Sequence, residues 1–231
     1  MVYLLPNDEL LFPNPRNGEK DGLFAVGGDL SPERLELAYE NGIFPWFPFR
    51  AEYTALIDEN GKPMITWYCP MERYVIFPEK IHISHSMRNL INSGKYRVSI
   101  DQAFDAVIEN CSQMRINQEY AWLGPEMVSA YKTLHHRGLT HSVEVWDNVT
   151  GALIGGLYGV RPTATCFCGE SMFSLSPSAS KLALITLARH MQSTGGKMID
   201  CQFHTPHLES MGGESIGYEE YMGVMQGGIN L

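Results

Sequence analysis

Basic residues are scarce in this chain: 17 Lys and Arg stand against 26 Asp and Glu, a net charge of -9 with histidine neutral. Phosphate backbones are bound through Lys and Arg, so this balance excludes a strongly basic nucleic-acid binder and leaves room only for a local patch. No apolar run reaches the roughly 18 residues needed to cross a bilayer. The start, Met1-Val-Tyr-Leu-Leu-Pro-Asn-Asp-Glu9, lacks a basic region followed by an apolar core and a cleavage site. The expectation is a cytoplasmic protein that stays off membranes. The five cysteines, Cys69, Cys111, Cys166, Cys168 and Cys201, are odd in number and irregularly spaced, which excludes a paired disulfide framework. Repeats and low-complexity stretches are also missing. What remains is an ordinary globular composition, 44% hydrophobic and 19% charged over 231 residues, enough for two unequal domains.

The first firm helix follows Gly27-Gly-Asp-Leu-Ser31, with Ser31 as N-cap, Pro32 in the first position and Asn41-Gly42 as the stop. Next comes Ile43-Phe-Pro-Trp-Phe-Pro-Phe49, where the prolines exclude a helix or a central strand and predict an irregular loop of large rings. Arg50 to Pro63 is polar and reads as a hairpin or surface insertion. A boundary near residue 70 separates a small N-terminal domain, 1–70, from a larger one, 71–231. In the latter we expect a helix near Ser86 to Asn92, a strand at Tyr96 to Ile100, and a helix capped by Asp101. Gly124-Pro125 opens another helix. A hairpin turns at Asp147-Asn-Val-Thr-Gly151. Two strands, Thr165 to Ser171 and Lys197 to Gln202, are joined by a helix from about Ser178 to Ser193, a connection that favours parallel pairing. The class is mixed α/β.

Each of the last two strands carries one carboxylate in apolar surroundings. Between Asp147 and Glu209 there is no acid except Glu170 and Asp200. Carboxylates on half-buried strands are costly unless hydrogen-bonded or paired with a cation, and a ligand's amine is one such cation. Several chemistries compete for the pair. Cys166, Cys168, Cys201, His204 and His207 have the softness for zinc, but Cys166-x-Cys168 lacks the usual knuckle spacing. Glu170 with Asp200 suits a carboxylate-pair glycoside hydrolase. No Gly-x-Ser-x-Gly elbow supports a serine hydrolase, and no glycine-rich turn opens a helix as an acyl-coenzyme A enzyme needs. Gly155 and Gly156, inside an apolar strand, predict a bulge or close backbone approach.

Taken together, Gly27-Gly-Asp-Leu-Ser-Pro-Glu-Arg-Leu35, Asn41-Gly-Ile-Phe-Pro-Trp-Phe47, His141-Ser-Val-Glu-Val-Trp146, Phe167-Cys-Gly-Glu-Ser-Met-Phe-Ser174, Ala179-Ser-Lys181, Ile199-Asp-Cys-Gln202 and His207-Leu-Glu-Ser-Met-Gly212 resemble the bacterial leucyl/phenylalanyl-tRNA–protein transferases. The resemblance implies a small N-terminal domain joined to an acetyltransferase-like (GNAT-like) mixed-sheet domain that uses no coenzyme A, other cofactor or metal. The implied reaction moves Leu or Phe, with Met a further candidate, from aminoacyl-tRNA to the N-terminal Arg or Lys of acceptor proteins, marking them for N-degron proteolysis. It further implies that Asp200 and Gln202 position the incoming amine and assist its deprotonation, while Glu170 holds the amino group of the aminoacyl moiety. Trp46 and Trp122 would contact the terminal adenosine. Leu157, Phe167, Leu184, Leu187 and Ile199 would form the apolar pocket for the transferred side chain. Within this reading the acid-free stretch from Lys80 to Ile100 supplies Lys80, Arg88, Lys95 and Arg97 as a tRNA-binding face of a monomer. The chain departs from the family pattern at Leu187, where Phe is expected, at Ile216-Gly-Tyr-Glu219 in place of Ile-Pro-Arg, and in the Arg50 to Met64 insertion. An RNA-end or peptide-binding module without transfer activity is the competing reading of the same fold.

Overall fold

The computed structural model describes residues 2–46, 56–114 and 122–227. Two compact units divide the chain. The first is Met1–Met71 with Ser112–His136, and the second is Glu72–Cys111 with Arg137–Leu231. Mixed α/β, as expected, is the class of the whole.

In the first unit four strands, β1 (Tyr3–Leu5), β2 (Leu23–Gly27), β3 (Phe44–Trp46) and β4 (Thr66–Tyr68), form one sheet in the order β1-β2-β4-β3. Helix α1 (Pro32–Glu40) begins as the sequence predicts: Ser31 Oγ accepts from Arg34 N at 3.4 Å and Pro32 needs no donor. The buried Arg34 guanidinium donates to the carbonyls of Pro6 and Glu9, both at 2.9 Å, and so ties down an irregular segment. Tyr39 of α1 meets Tyr131 of α4 (Pro125–His136) hydroxyl to hydroxyl at 2.7 Å. The aromatic loop expected from Ile43 onward is corrected here. Phe44–Trp46 is an edge strand, and only an edge tolerates Pro45, which has no N–H for a second neighbour. Phe47, Pro48, Phe49 and the insertion up to residue 55 lie outside the described residues. The remainder of the insertion closes on an Ile57 to Pro63 bridge, with Asp58 Oδ1 accepting from the backbone of Asn60 and Lys62.

The second unit includes helices α2 (His85–Asn92) and α6 (Pro206–Glu209) and is built on seven strands: β5 (Glu72–Ile76), β6 (Tyr96–Ile100), β7 (Thr140–Asp147), β8 (Leu153–Val160), β9 (Cys166–Ser174), β10 (Met198–Asp200) and β11 (Glu214–Gly217). Their order is β11-β5-β10-β9-β8-β7-β6, and β9 with β10 is the parallel pair. Its connection, helix α5 (Ala179–Thr194), packs on one face through Leu184, Ile185, Leu187, Ala188 and Met191. Val143, Leu157, Phe167 and Ile199 are the strand residues beneath it. Close approach explains Gly155, because a Cβ there would lie 2.5 Å from that of Ala179. On the opposite face Phe104 of α3 (Phe104–Gln113) meets Tyr158 edge-on at 5.9 Å.

Asp101 does not cap α3 as expected. Its Oδ2 is 2.7 Å from His141 Nδ1 and its Oδ1 accepts from Ser142 N at 2.8 Å, which holds the residue at φ +55°. The cap comes instead from Glu144 on β7. This fully buried carboxylate accepts from Gln102 N and Ala103 N, at 3.4 and 3.3 Å, and from the hydroxyls of Ser99 and Ser142. A carboxylate at a helix N-terminus meets both the unpaired amides and the positive end of the dipole.

Candidate active site

The site is built where the parallel pair separates. Register runs Met198 to Cys166, Ile199 to Phe167 and Asp200 to Cys168, and then stops. Beyond Asp200 the chain leaves β9 and follows β5, with Cys201 N donating to Tyr74 O and Tyr74 N to Gln202 O. On β9 the pairing with β8 skips one residue, since Tyr158 faces Ser171 while Gly159 faces Gly169. Glu170 is the extra residue of that bulge, a device that re-aims a side chain at sheet ends and beside active sites.

Strand alternation then separates the two acids' neighbourhoods. Ile199 and Phe167 face α5, whereas Asp200 faces helix α7 (Tyr218–Met225). Asp200 is 1% exposed. Its Oδ2 accepts from the Tyr221 hydroxyl at 3.0 Å and is 3.6 Å from Arg73 Nη1, itself fully buried. Its Oδ1 accepts from Gln202 N at 2.8 Å. Gln202 falls outside the strand that the sequence predicts from Lys197 to Gln202. The strand ends at Asp200, and Gln202 sits at φ +59°, held by that hydrogen bond. From there its side-chain Nε2 reaches Glu170 Oε1 at 3.4 Å. The cation that offsets the buried Asp200 is thus Arg73, which the sequence reading missed together with Tyr221. The signal was present: Arg73 stands inside the otherwise apolar Arg73-Tyr-Val-Ile-Phe77.

Cys168 and Cys201 have thiols that resist ionisation. Cys168 is held well above the ordinary thiol range by its hydrogen bond with Cys166 and by burial, and burial also raises Cys201. Among the described residues no group of three or more His, Cys, Asp or Glu is placed to hold a metal ion. His204 instead pairs with Glu209 at 3.2 Å.

All five expected pocket residues, Leu157, Phe167, Leu184, Leu187 and Ile199, are buried in one apolar cluster. Two of them, Phe167 and Leu187, line a cavity of about 150 Å³ with Val143 and Met191, whose rim carries His141, Arg161 and His190. A cavity of about that size accommodates a benzene ring. In the first unit the Trp46 and Trp122 rings lie 6.0 Å apart at 47°. That unit also holds a wider cleft of about 1050 Å³, where Lys62 pairs with Glu126 at 2.9 Å. The four expected tRNA-facing cations are exposed. Lys80 is committed to Glu214 at 2.7 Å, whereas Lys95, just before the sheet-edge strand β6, lies over the Tyr96 ring and Arg97 of β6 lies over the Trp146 ring of β7.

The family model "Leucyl/phenylalanyl-tRNA protein transferase" matches residues 75–226, and that of its N-terminal domain matches 28–71. The chain belongs to this family. A leucyl/phenylalanyl-tRNA–protein transferase of Flavobacterium psychrophilum is 45% identical over 93% of this chain and 95% of its own length. One from Azotobacter vinelandii is 41% identical over 100% and 96%. Among solved structures, L-PGS from Bacillus licheniformis is similar at a TM-score of 0.42 and 9% identity, over 76% of this chain and 53% of that one. A tandem GNAT protein from the clavulanic acid pathway is similar at 0.35 and 10%, over 64% and 53%. Among the described residues no helix is long and apolar enough to cross a membrane.

Proposed function

We propose that this aminoacyltransferase moves Leu or Phe, with Met a further candidate, from aminoacyl-tRNA to the N-terminal Arg or Lys of acceptor proteins, which then enter N-degron proteolysis in the cytoplasm. The observation that carries this reading is the contact of Gln202 with Glu170 where β9 and β10 separate. A carboxylate and a side-chain amide at adjacent strand ends suit two amines, one to be held and one to be aimed.

The aminoacyl ester is already activated, so the reaction needs orientation and loss of a proton, not a cofactor or a covalent enzyme intermediate. Glu170 holds the α-ammonium of the aminoacyl group. Gln202 orients the incoming α-amine, about half of which is deprotonated near pH 8. The deprotonated amine attacks the ester carbonyl, a C–N bond forms, and the C–O bond to the ribose breaks. One amine proton passes to the departing ribose oxygen, and the other stays as the amide N–H. Asp200, buried behind Gln202, acts by holding it. Phe167 and Leu187 contact the transferred side chain, with Leu157, Leu184 and Ile199 as the apolar support. Contact with these apolar residues favours apolar side chains and separates Leu, Met and Phe weakly. Trp46 and Trp122 stack on the terminal adenosine, and Arg88, Lys95 and Arg97, with Lys80 less, meet the tRNA backbone. The protein works as a monomer, with a small domain over 1–70 and the catalytic domain over 71–231.

The test incubates the protein with labelled Phe-tRNA and a peptide beginning with Arg, beside an Asp200→Ala variant. Acid-stable label on the peptide, lost in the variant, supports the reading. Label that also appears on a peptide beginning with Ser removes the acceptor assignment, and no label with a folded protein removes transfer itself.

A further inference from the structure

The pair that faces substrate does not set its own position. Gln202 holds a left-handed backbone that non-glycine residues seldom adopt. Two hydrogen bonds secure it, Gln202 N to Asp200 Oδ1 and Tyr74 N to Gln202 O, the first of them to a side chain. Asp200 is secured in turn by groups from two other elements. Tyr221 of α7 donates its hydroxyl to Oδ2, and Arg73 of β5 lies 3.6 Å from the same oxygen. These two also hold each other, because the Arg73 guanidinium sits 4.5 Å from the Tyr221 ring centroid. Tyr221 and Arg73 are fully buried and Asp200 nearly so, which leaves no water to take over if one partner is removed. Burial, then the negative charge of Asp200, hold the Tyr221 phenol far above its ordinary range, so it stays a donor at working pH.

We infer that Tyr221, on the C-terminal helix and out of reach of substrate, is a positioning residue for transfer: it fixes Asp200 and through it the aim of Gln202. This rests on the assignment of Gln202 to the incoming amine made above. Arg73 supplies the positive charge beside the buried Asp200. Tyr221 supplies direction, since a hydroxyl selects one oxygen and turns the other toward Gln202 N.

Tyr221→Phe keeps the ring and its stacking on Arg73 and removes only the hydroxyl. With Phe-tRNA and an Arg-initial peptide, kcat falls about 10-fold or more, the size of one hydrogen bond to a charged group. KM for Phe-tRNA stays within about twofold, since the lost contact touches no substrate. The same change is then made in a Gln202→Ala background, where it lowers kcat by less than about twofold because the residue it acts through is gone. Circular dichroism and a melting curve confirm that each variant is folded at the assay temperature. An unchanged kcat in Tyr221→Phe overturns the inference, and so does a full 10-fold loss repeated in the double variant. If Gln202→Ala alone leaves kcat unchanged while wild type transfers label, the assignment of Gln202 falls instead.

Discussion

The ring of Phe167 lies over Gly159, where an added Cβ would come within 2.5 Å of it and closer still to the Cys168 carbonyl. The absence of a side chain on β8 is therefore what gives a pocket residue of β9 its place.

Gly159→Ala forces either the ring or the β9 backbone to move, an overpacking cost of about 1–3 kcal/mol. It also pushes Phe167 into the cavity that it lines with Leu187. Gly169→Ala, beside the bulge, meets only the Asp200 carbonyl at 3.6 Å, and its φ is not positive. That variant stays within about 0.5 kcal/mol of wild type. Urea unfolding of the two variants checks the contrast, and equal losses would show that the close approach at Gly159 is not what matters.

Glu144 is, with Asp200, one of two buried acids among the described residues, and it closes the β6 to α3 corner with four hydrogen bonds. Glu144→Ala leaves two serine hydroxyls and two backbone amides without their acceptor, for an expected loss of about 3 kcal/mol or more. Glu144→Gln retains one acceptor oxygen and loses less. Thermal midpoints of both variants decide this, and a Glu144→Ala protein as stable as wild type would mean that the corner is held by other groups.

Much of this architecture is legible in the sequence because it is local. Ser31 with Pro32, the Asp147 to Gly151 turn, and the helix between the two acid-bearing strands each follow from neighbouring residues. The isolation of Glu170 and Asp200 in an apolar stretch pointed to the site as well. What escaped depends on contacts distant along the chain. Asp101 looks like a cap from its position, but His141 and Ser142 claim it, and Glu144 takes over from a strand 41 residues beyond Ala103. The sequence predicts a strand through Gln202, yet pairing with Tyr74 ends the parallel ladder at Asp200 and frees Gln202 to turn. Arg73 and Tyr221 meet at one oxygen of Asp200 in space and lie far from it in sequence.

Leu187 is the position through which specificity is most directly altered. Leu187→Phe fills part of the roughly 150 Å³ cavity shared with Phe167 and Met191. Transfer of Phe should fall relative to Leu by about 10-fold or more, as expected when a pocket loses the space of a few methylenes. Competition between Leu-tRNA and Phe-tRNA, read as the ratio of kcat/KM values, measures it. An unchanged ratio with an unchanged fold would place the transferred side chain elsewhere.

His207 gives the stability a pH dependence with a defined sign. Burial first, and the nearby Lys181 charge second, lower its pKa from the ordinary 6.5. The folded state therefore resists protonation that the unfolded state accepts. Above about pH 6.5 neither state binds the proton and stability is unaffected; as the pH falls below it the unfolded state gains the proton first and stability drops. The drop ends once the pH passes below the folded pKa. His207→Gln removes this contribution and leaves every other titration in place, so the fall in thermal midpoint between pH 7.5 and 5.5 should be smaller in the variant than in wild type. Lys181→Met narrows the same window from its acid side by letting the folded pKa rise. Parallel midpoint curves for wild type and His207→Gln would show that the imidazole is protonated as easily in the fold as out of it.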